Sequence, residues 1–233
     1  MSTVALALVA VVPVVAFLAA TVGPLYAADR FRETRPPTDA ERRRLDALRE
    51  EAGLDVERVA VFSPSGGQKP DDAEVSDDAE GSDDPGSVEI SVRGPPGRRV
   101  LFLTPGVFDL EDGTATALLA AEAGRLVTYY NEFRAVATAA VLALLAAVVT
   151  TLVPFEAGFS ALAAVGFVAF WAGRRVQYAA DARAADRVGA ETLADAFERA
   201  AALRGVEPET GTWRTWFEVQ PPLGDRIARL RER

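Results

Sequence analysis

The sequence contains no cysteine and no histidine. Their absence excludes disulfides, thiol nucleophiles and imidazole bases, and it removes the two commonest protein ligands of transition metals. A zinc site in this chain would need ligands with oxygen atoms only, which is rare. A serine nucleophile would have no histidine as its base, and no G-x-S-x-G, P-loop or G-x-G-x-x-G motif is present.

Lysine is almost absent as well, since Lys69 is the only one and the other basic residues are arginines. The net charge is −9 and the isoelectric point is about 4.7. An acidic chain is poorly suited to neutralise phosphates, so we expect no nucleic-acid partner. Many carboxylates with little lysine resemble the composition of halophilic proteins encoded by GC-rich genomes.

Charge is also missing from a long apolar stretch at the start of the chain, residues 1–28. About 20 apolar residues are enough to cross a bilayer. A cleaved signal peptide is the alternative, but signal peptides carry positive charge before the apolar run, whereas here Arg30, Arg32 and Arg35 follow it. The pattern therefore predicts an uncleaved anchor with its N-terminus outside the cell.

Two further charge-free runs, residues 135–153 and 157–173, are separated only by a short turn. Arg134 precedes the pair, and Arg174 and Arg175 follow it. Arginine at both open ends predicts a hairpin that enters the membrane from the cytoplasm and returns there. Buried helices of a soluble core are the alternative, but such helices rarely lack a polar face over this length.

The remaining segments are expected in the cytoplasm. Residues 29–63 are predicted to form a helix, which begins with a capping box, and then a strand. Residues 64–87 are predicted to form an acidic, disordered linker. Residues 88–134 read as a β-hairpin followed by a helix, and residues 174–233 as C-terminal helices. The expected fold class is mainly helical α+β, in a multi-pass cell-membrane protein with about three spanning helices.

The order of the later elements resembles one protein family. A strand, LFLTPGVFDL, leads to a helix, ALLAAEAGRL; a membrane hairpin follows, and then QYAADARAADRVG and PPLGDRIARL. This order is similar to the membrane-bound zinc metallopeptidases of the HtpX heat-shock protease and CAAX prenyl endopeptidase type. The resemblance covers about residues 99–233 and implies a zincin-like cytoplasmic domain. In that family an H-E-x-x-H helix binds zinc and supplies the general base.

The resemblance places the family's site residues on five positions of this chain. The first histidine falls on Ala121, the general base on Glu122 and the second histidine on Arg125. The third ligand falls on Gln177, while the aspartate that follows it is retained as Asp181. Alanine offers no lone pair, and arginine offers only donors and a permanent charge. We therefore expect no zinc, no other cofactor and no catalytic residue, in a degenerate member of the family.

The same positions suggest why a charged residue, Glu122, lies within the otherwise apolar helix ALLAAEAGRL. Glu122 and Arg125 lie three residues apart and can pair, and Asp181 would approach Arg125 from the other side, so that an ion cluster fills the former zinc position. The alternative is an ordinary surface pair of Glu122 and Arg125.

Three functions remain open from the sequence. The first is a catalytically inactive pseudo-metalloprotease that binds membrane or unfolded proteins or regulates an active relative. The second is an active membrane endopeptidase with a non-standard site, such as a carboxylate dyad of Glu122 and Asp181. The third is a membrane scaffold unrelated to peptidases.

Overall fold

The computed structural model describes residues 11–13, 15, 34–63, 88–208 and 221–233. Residues 11–13 and 15 are helical, and the rest of the predicted N-terminal anchor lies outside the described residues. The predicted acidic linker, residues 64–87, also lies outside them. The number of spanning helices therefore stays a prediction.

The described chain is mainly helical with one small sheet. The strands are β1 (Thr34–Arg35), β2 (Arg58–Phe62), β3 (Ile90–Arg93) and β4 (Val100–Leu103). The helices are α1 (Asp39–Ala52), α2 (Asp112–Val127), α3 (Tyr130–Val149), α4 (Phe155–Val188), α5 (Ala190–Leu203) and α6 (Leu223–Arg231), with a short 3₁₀ helix at Pro105–Asp109. This arrangement confirms the mainly helical α+β class.

The sheet has the order β1-β2-β4-β3, in which β2 and β4 are parallel and the other pairs are antiparallel. The predicted β-hairpin is confirmed by the pairing of β3 with β4, which places Val92 opposite Leu101. Strand β4 is fully buried. Its Leu101 and Leu103 belong to the main core with the helices, and its Val100 and Phe102 form a small apolar cluster with Phe62 of β2. Strand β3 is an edge strand of the sheet and lies next to helix α2.

Helix α1 begins and ends where its sequence signals predict. The Thr38 hydroxyl accepts a hydrogen bond from the Glu41 N–H at 3.3 Å, and the Glu41 carboxylate accepts one from the Thr38 N–H at 2.7 Å. Gly53 closes the helix in the left-handed conformation, with φ of 70°. Glycine adopts this conformation at no steric cost, which is why it ends so many helices.

Helices α3 and α4 are both long and apolar enough to cross a membrane, with hydropathies of 1.9 and 1.6 over their most apolar windows. Only 17% and 11% of those windows are buried inside the protein. Such low burial is unlike a core helix of a soluble protein, because large side chains such as Val149 and Phe167 remain exposed. Helix α4 continues without a break into the folded domain, so the hairpin and the domain share one helix.

Candidate functional site

The candidate site lies where helices α2, α4 and α6 meet beside strand β3. Helices α2 and α4 approach closely because small residues line the contact. A Cβ atom added to Gly124 would lie 2.3 Å from the Ala180 carbonyl oxygen, a distance that no packed side chain tolerates. This close contact brings Glu122 and Arg125 of α2 next to Gln177 and Asp181 of α4.

Glu122 is buried at 6% exposure and is held from two sides. Its Oε1 accepts a hydrogen bond from Arg125 Nη1 at 2.5 Å, and its Oε2 accepts a longer one from the Val92 N–H at 3.4 Å. Burial acts to lower the pKa of Arg125, but the charges of Glu122 and Asp181 raise it overall. Arg125 therefore keeps its positive charge, and its guanidinium gives the buried carboxyl group of Glu122 a partner that it would otherwise lack.

Asp181 has a different arginine as its partner. Arg226 of α6 donates from Nε to Oδ2 at 2.8 Å and from Nη2 to Oδ1 at 2.7 Å. Gln177 Nε2 donates to the same Oδ1 at 3.0 Å. Arg226 is only 4% exposed, and its guanidinium lies 4.5 Å from the centre of the Phe197 ring. This two-pronged geometry is the strongest form of an arginine–carboxylate pair.

The hypothesis of a three-residue ion cluster is thus wrong in one contact. Asp181 forms its hydrogen-bonded ion pair with Arg226, and it acts on Arg125 through its charge. The alternative of an ordinary surface pair is also wrong, since Glu122 is buried. The observed arrangement is two neighbouring ion pairs, Glu122–Arg125 and Asp181–Arg226, which we call the paired-charge site.

Sequence reasoning missed Arg226 as the partner of Asp181. A signal was available, because the stretch PPLGDRIARL was among those that carry the family resemblance. No local pattern connects residues 45 positions apart, and the contact exists only because α6 packs against α4. The five positions named from the sequence lie on two helices. Helix α2 carries Ala121, Glu122 and Arg125, and helix α4 carries Gln177 and Asp181.

The donor set of the paired-charge site does not fit zinc. Ala121 carries no ligand atom, and Arg125 places a positive guanidinium on the carboxylate of Glu122. Gln177 offers one neutral oxygen, Oε1, which is buried without a hydrogen-bond partner. A zinc ion requires about four ligands, normally thiolate, imidazole or free carboxylate. Among the described residues no three acidic side chains lie close enough together to hold a metal ion.

Strand β3 is also partly covered at this site. The Val92 N–H donates to Glu122, and the Val92 carbonyl accepts a hydrogen bond from Asn131 Nδ2 at 3.3 Å. An edge strand normally leaves such groups open to another extended chain. Here an added peptide strand would have to displace side chains from two helices.

A solved structure has the same fold. The crystal structure of Ste24p from S. mikatae superposes with a TM-score of 0.62 at 17% sequence identity, over 95% of this chain and 57% of Ste24p. The chain thus spans little more than half the length of that protein. No family model and no curated protein matches the sequence. The likeness to Ste24p shows the fold, and helices α3 and α4 are long and apolar enough to cross a membrane.

Proposed function

We propose that this chain is a membrane-anchored pseudo-metalloprotease with a binding or regulatory role. Ste24p is a CAAX prenyl protease and a zinc metalloprotease. The shared fold supports a peptidase-like ancestry, and the paired-charge site supports the loss of catalysis. The one observation that carries the proposal is the hydrogen bond from Arg125 to Glu122, because the family resemblance places a zinc ligand at Arg125 and the general base at Glu122.

A general base must be free to accept a proton from water. In this chain the carboxylate of Glu122 is held by a guanidinium and a backbone N–H, and neither contact activates a nucleophile. Asp181 is bound to Arg226 and Gln177, so the two carboxylates have separate partners and do not resemble the dyad of an aspartic protease. The geometry therefore favours the inactive reading over a non-standard endopeptidase.

The proposed partners are membrane or unfolded proteins, or an active relative, met at the surface of the bilayer. In the proposed topology the N-terminus is outside and the main domain is cytoplasmic, with the hairpin of α3 and α4 crossing the membrane twice. No histidine or cysteine is required for binding, so the composition is compatible with this role.

The proposal is tested by measuring the metal content of the detergent-purified chain beside the triple variant Ala121→His, Arg125→His, Gln177→Glu. We expect no bound zinc in the native chain after dialysis and stoichiometric zinc in the variant, with a higher unfolding temperature when zinc is added. A matched control adds Glu122→Gln to the triple variant. The resulting quadruple variant should keep zinc but should hydrolyse no unfolded protein substrate.

Two results would contradict the proposal. Stoichiometric zinc in the native chain, or hydrolysis of a denatured membrane protein that stops in Glu122→Gln, would show an active enzyme. If the triple variant folds but takes up no zinc, the site does not descend from a zinc site and the scaffold alternative gains support.

A further inference from the structure

The C-terminal half of helix α4 borders a cleft that has a volume of about 900 Å³ and lies between α4 and α6. Five arginines line it, Arg174, Arg175, Arg226, Arg229 and Arg233, against one aspartate and one glutamate. This concentration of positive charge is unusual in a chain whose net charge is −9. We call it the arginine cleft.

The arginines come from one face of each helix. On α4 the lining residues include Trp171, Arg174, Arg175 and Tyr178, which follow the three- and four-residue spacing of a single helix face. On the C-terminal side, Arg226 and Arg229 of α6 and Arg233, just beyond its end, have the same spacing. Two basic faces thus meet across the cleft, and their repulsion is relieved where a carboxylate or another anion lies close by.

Part of this charge is already neutralised within the protein. Arg226 pairs with Asp181, and Arg233 donates to Asp186 at 2.8 Å. Arg175 and Arg229 instead lie over aromatic rings, Arg175 at 5.5 Å from the centre of Trp171 and Arg229 at 4.5 Å from the centre of Tyr178. A guanidinium stacked on a ring keeps its N–H edge available for an oxyanion, and that edge fits phosphate with two hydrogen bonds.

The position of the cleft along α4 identifies the source of the anion. The same face of α4 is apolar and exposed just before the cleft, where Phe167, Val168 and Trp171 are 71%, 60% and 57% exposed. It becomes basic at Arg174 and Arg175 within one helical turn. Acyl chains fit the first part of this face and a charged headgroup fits the second, as expected at a membrane–water interface.

We propose that the arginine cleft binds the phosphate of an anionic phospholipid headgroup, held by Arg175 and Arg229. The acyl chains of that lipid lie along the exposed face of α4 that ends at Trp171. A bound lipid would hold α4 and α6 together by neutralising their facing charges. This site does not depend on whether the paired-charge site is catalytically inactive.

The test measures lipid binding to the full-length chain in detergent micelles. Native mass spectrometry counts retained phosphatidylglycerol or phosphatidylcholine, and the unfolding temperature is recorded with each lipid and with inorganic phosphate. We expect the native chain to retain phosphatidylglycerol selectively and to unfold at a higher temperature with it. The variant Arg175→Gln, Arg229→Gln should bind phosphatidylglycerol about tenfold or more weakly, because it loses charge-assisted hydrogen bonds.

The matched control is Arg42→Gln, Arg43→Gln, which removes the same charge from an exposed face of α1 and should bind phosphatidylglycerol as the native chain does. A further variant, Arg175→Lys, Arg229→Lys, keeps the charge and should bind at an intermediate level if the planar fork matters. Circular dichroism checks that each variant is folded.

Three results would overturn the proposal: no preference for phosphatidylglycerol in the native chain, undiminished binding by a folded Arg175→Gln, Arg229→Gln variant, or an equal loss in the α1 control. Stabilisation by inorganic phosphate that equals the effect of the lipid at the same concentration would overturn the lipid as the source, since it would indicate a site for free anions.

Discussion

At the scale of single residues, the protein shows how carboxylates are accommodated in largely apolar helices. A carboxylate in an apolar helix needs an opposite charge, and Arg125 supplies it for Glu122 as Arg226 does for Asp181. Arginine suits this role because it cannot lose its proton and because it donates along two directions. The paired-charge site is therefore a self-contained structural element.

Replacing Arg125 with methionine tests the value of this compensation. Glu122 would be left buried without its cation, so we expect a loss of about 3 kcal/mol in the free energy of unfolding, at the low end for buried pairs because Arg125 keeps 23% exposure. The double variant Glu122→Gln, Arg125→Met should recover most of the loss. Chemical denaturation in detergent measures both.

The control for that experiment is Arg231→Met, which breaks an exposed ion pair with Glu198. The side chains of Arg231 and Glu198 are 51% and 46% exposed. Exposed pairs contribute under about 1 kcal/mol. If Arg125→Met costs no more than Arg231→Met, the buried pair has no special role.

The stability of the protein at acidic pH depends in part on Glu41. Hydrogen bonds from Arg35 lower the pKa of Glu41 from 4.5 to about 2, although burial opposes the shift. Since the pKa is lower in the folded state, the stabilisation is complete above pH 4.5 and is lost as the pH falls toward 2. The native chain should therefore exceed Glu41→Gln in stability by about 1 kcal/mol at neutral pH, with partial exposure limiting the value.

Unfolding of both proteins between pH 2 and pH 7 tests this, and their difference should shrink only over the acidic part of the range. A constant difference across the whole range would mean that the ion pair with Arg35 contributes nothing and that Glu41 acts only as a cap.

At the scale of secondary-structure elements, the contact of α2 with α4 decides where the site residues lie. The helices can approach closely because Gly124 has no side chain where the Ala180 carbonyl passes. The sequence predicted α1 and the β3–β4 hairpin from their caps and turns, because those signals are local.

A pair of glycine substitutions on helix α2 tests this contact. Gly124→Ala should cost about 3 kcal/mol, because the helices must separate to admit the methyl group. Gly113→Ala is the matched control, since a Cβ there meets nothing within 4 Å and alanine should be neutral or stabilise the helix by up to about 1 kcal/mol. Equal effects of the two substitutions on the unfolding temperature would contradict the close packing of α2 on α4.

At the scale of the whole molecule, the two apolar helices and the folded domain are joined through the uninterrupted helix α4. The apolar half of α4 is therefore continuous with the half that carries Gln177 and Asp181 and borders the arginine cleft. Because the chain has no cysteine, its topology can be mapped with single introduced thiols and no background labelling.

Two exposed positions are suitable for this mapping of the topology. Glu156→Cys lies near the turn between α3 and α4, and Ala47→Cys lies on α1. In the proposed topology, a membrane-impermeant maleimide should label Glu156→Cys in intact cells and Ala47→Cys only after permeabilisation. Labelling of both from the same side would mean that the hairpin does not cross the bilayer.

The sequence by itself determined the features that depend on neighbouring residues and on composition. These are the apolar runs of the hairpin, the caps of α1, the β3–β4 turn and the absence of zinc ligands at Ala121, Arg125 and Gln177. Only the tertiary structure decided that Asp181 pairs with Arg226, that Glu122 is buried, and that two basic helix faces meet at a cleft. The physical reason is that charges choose partners by distance in space, and helix packing sets those distances between residues far apart in the chain.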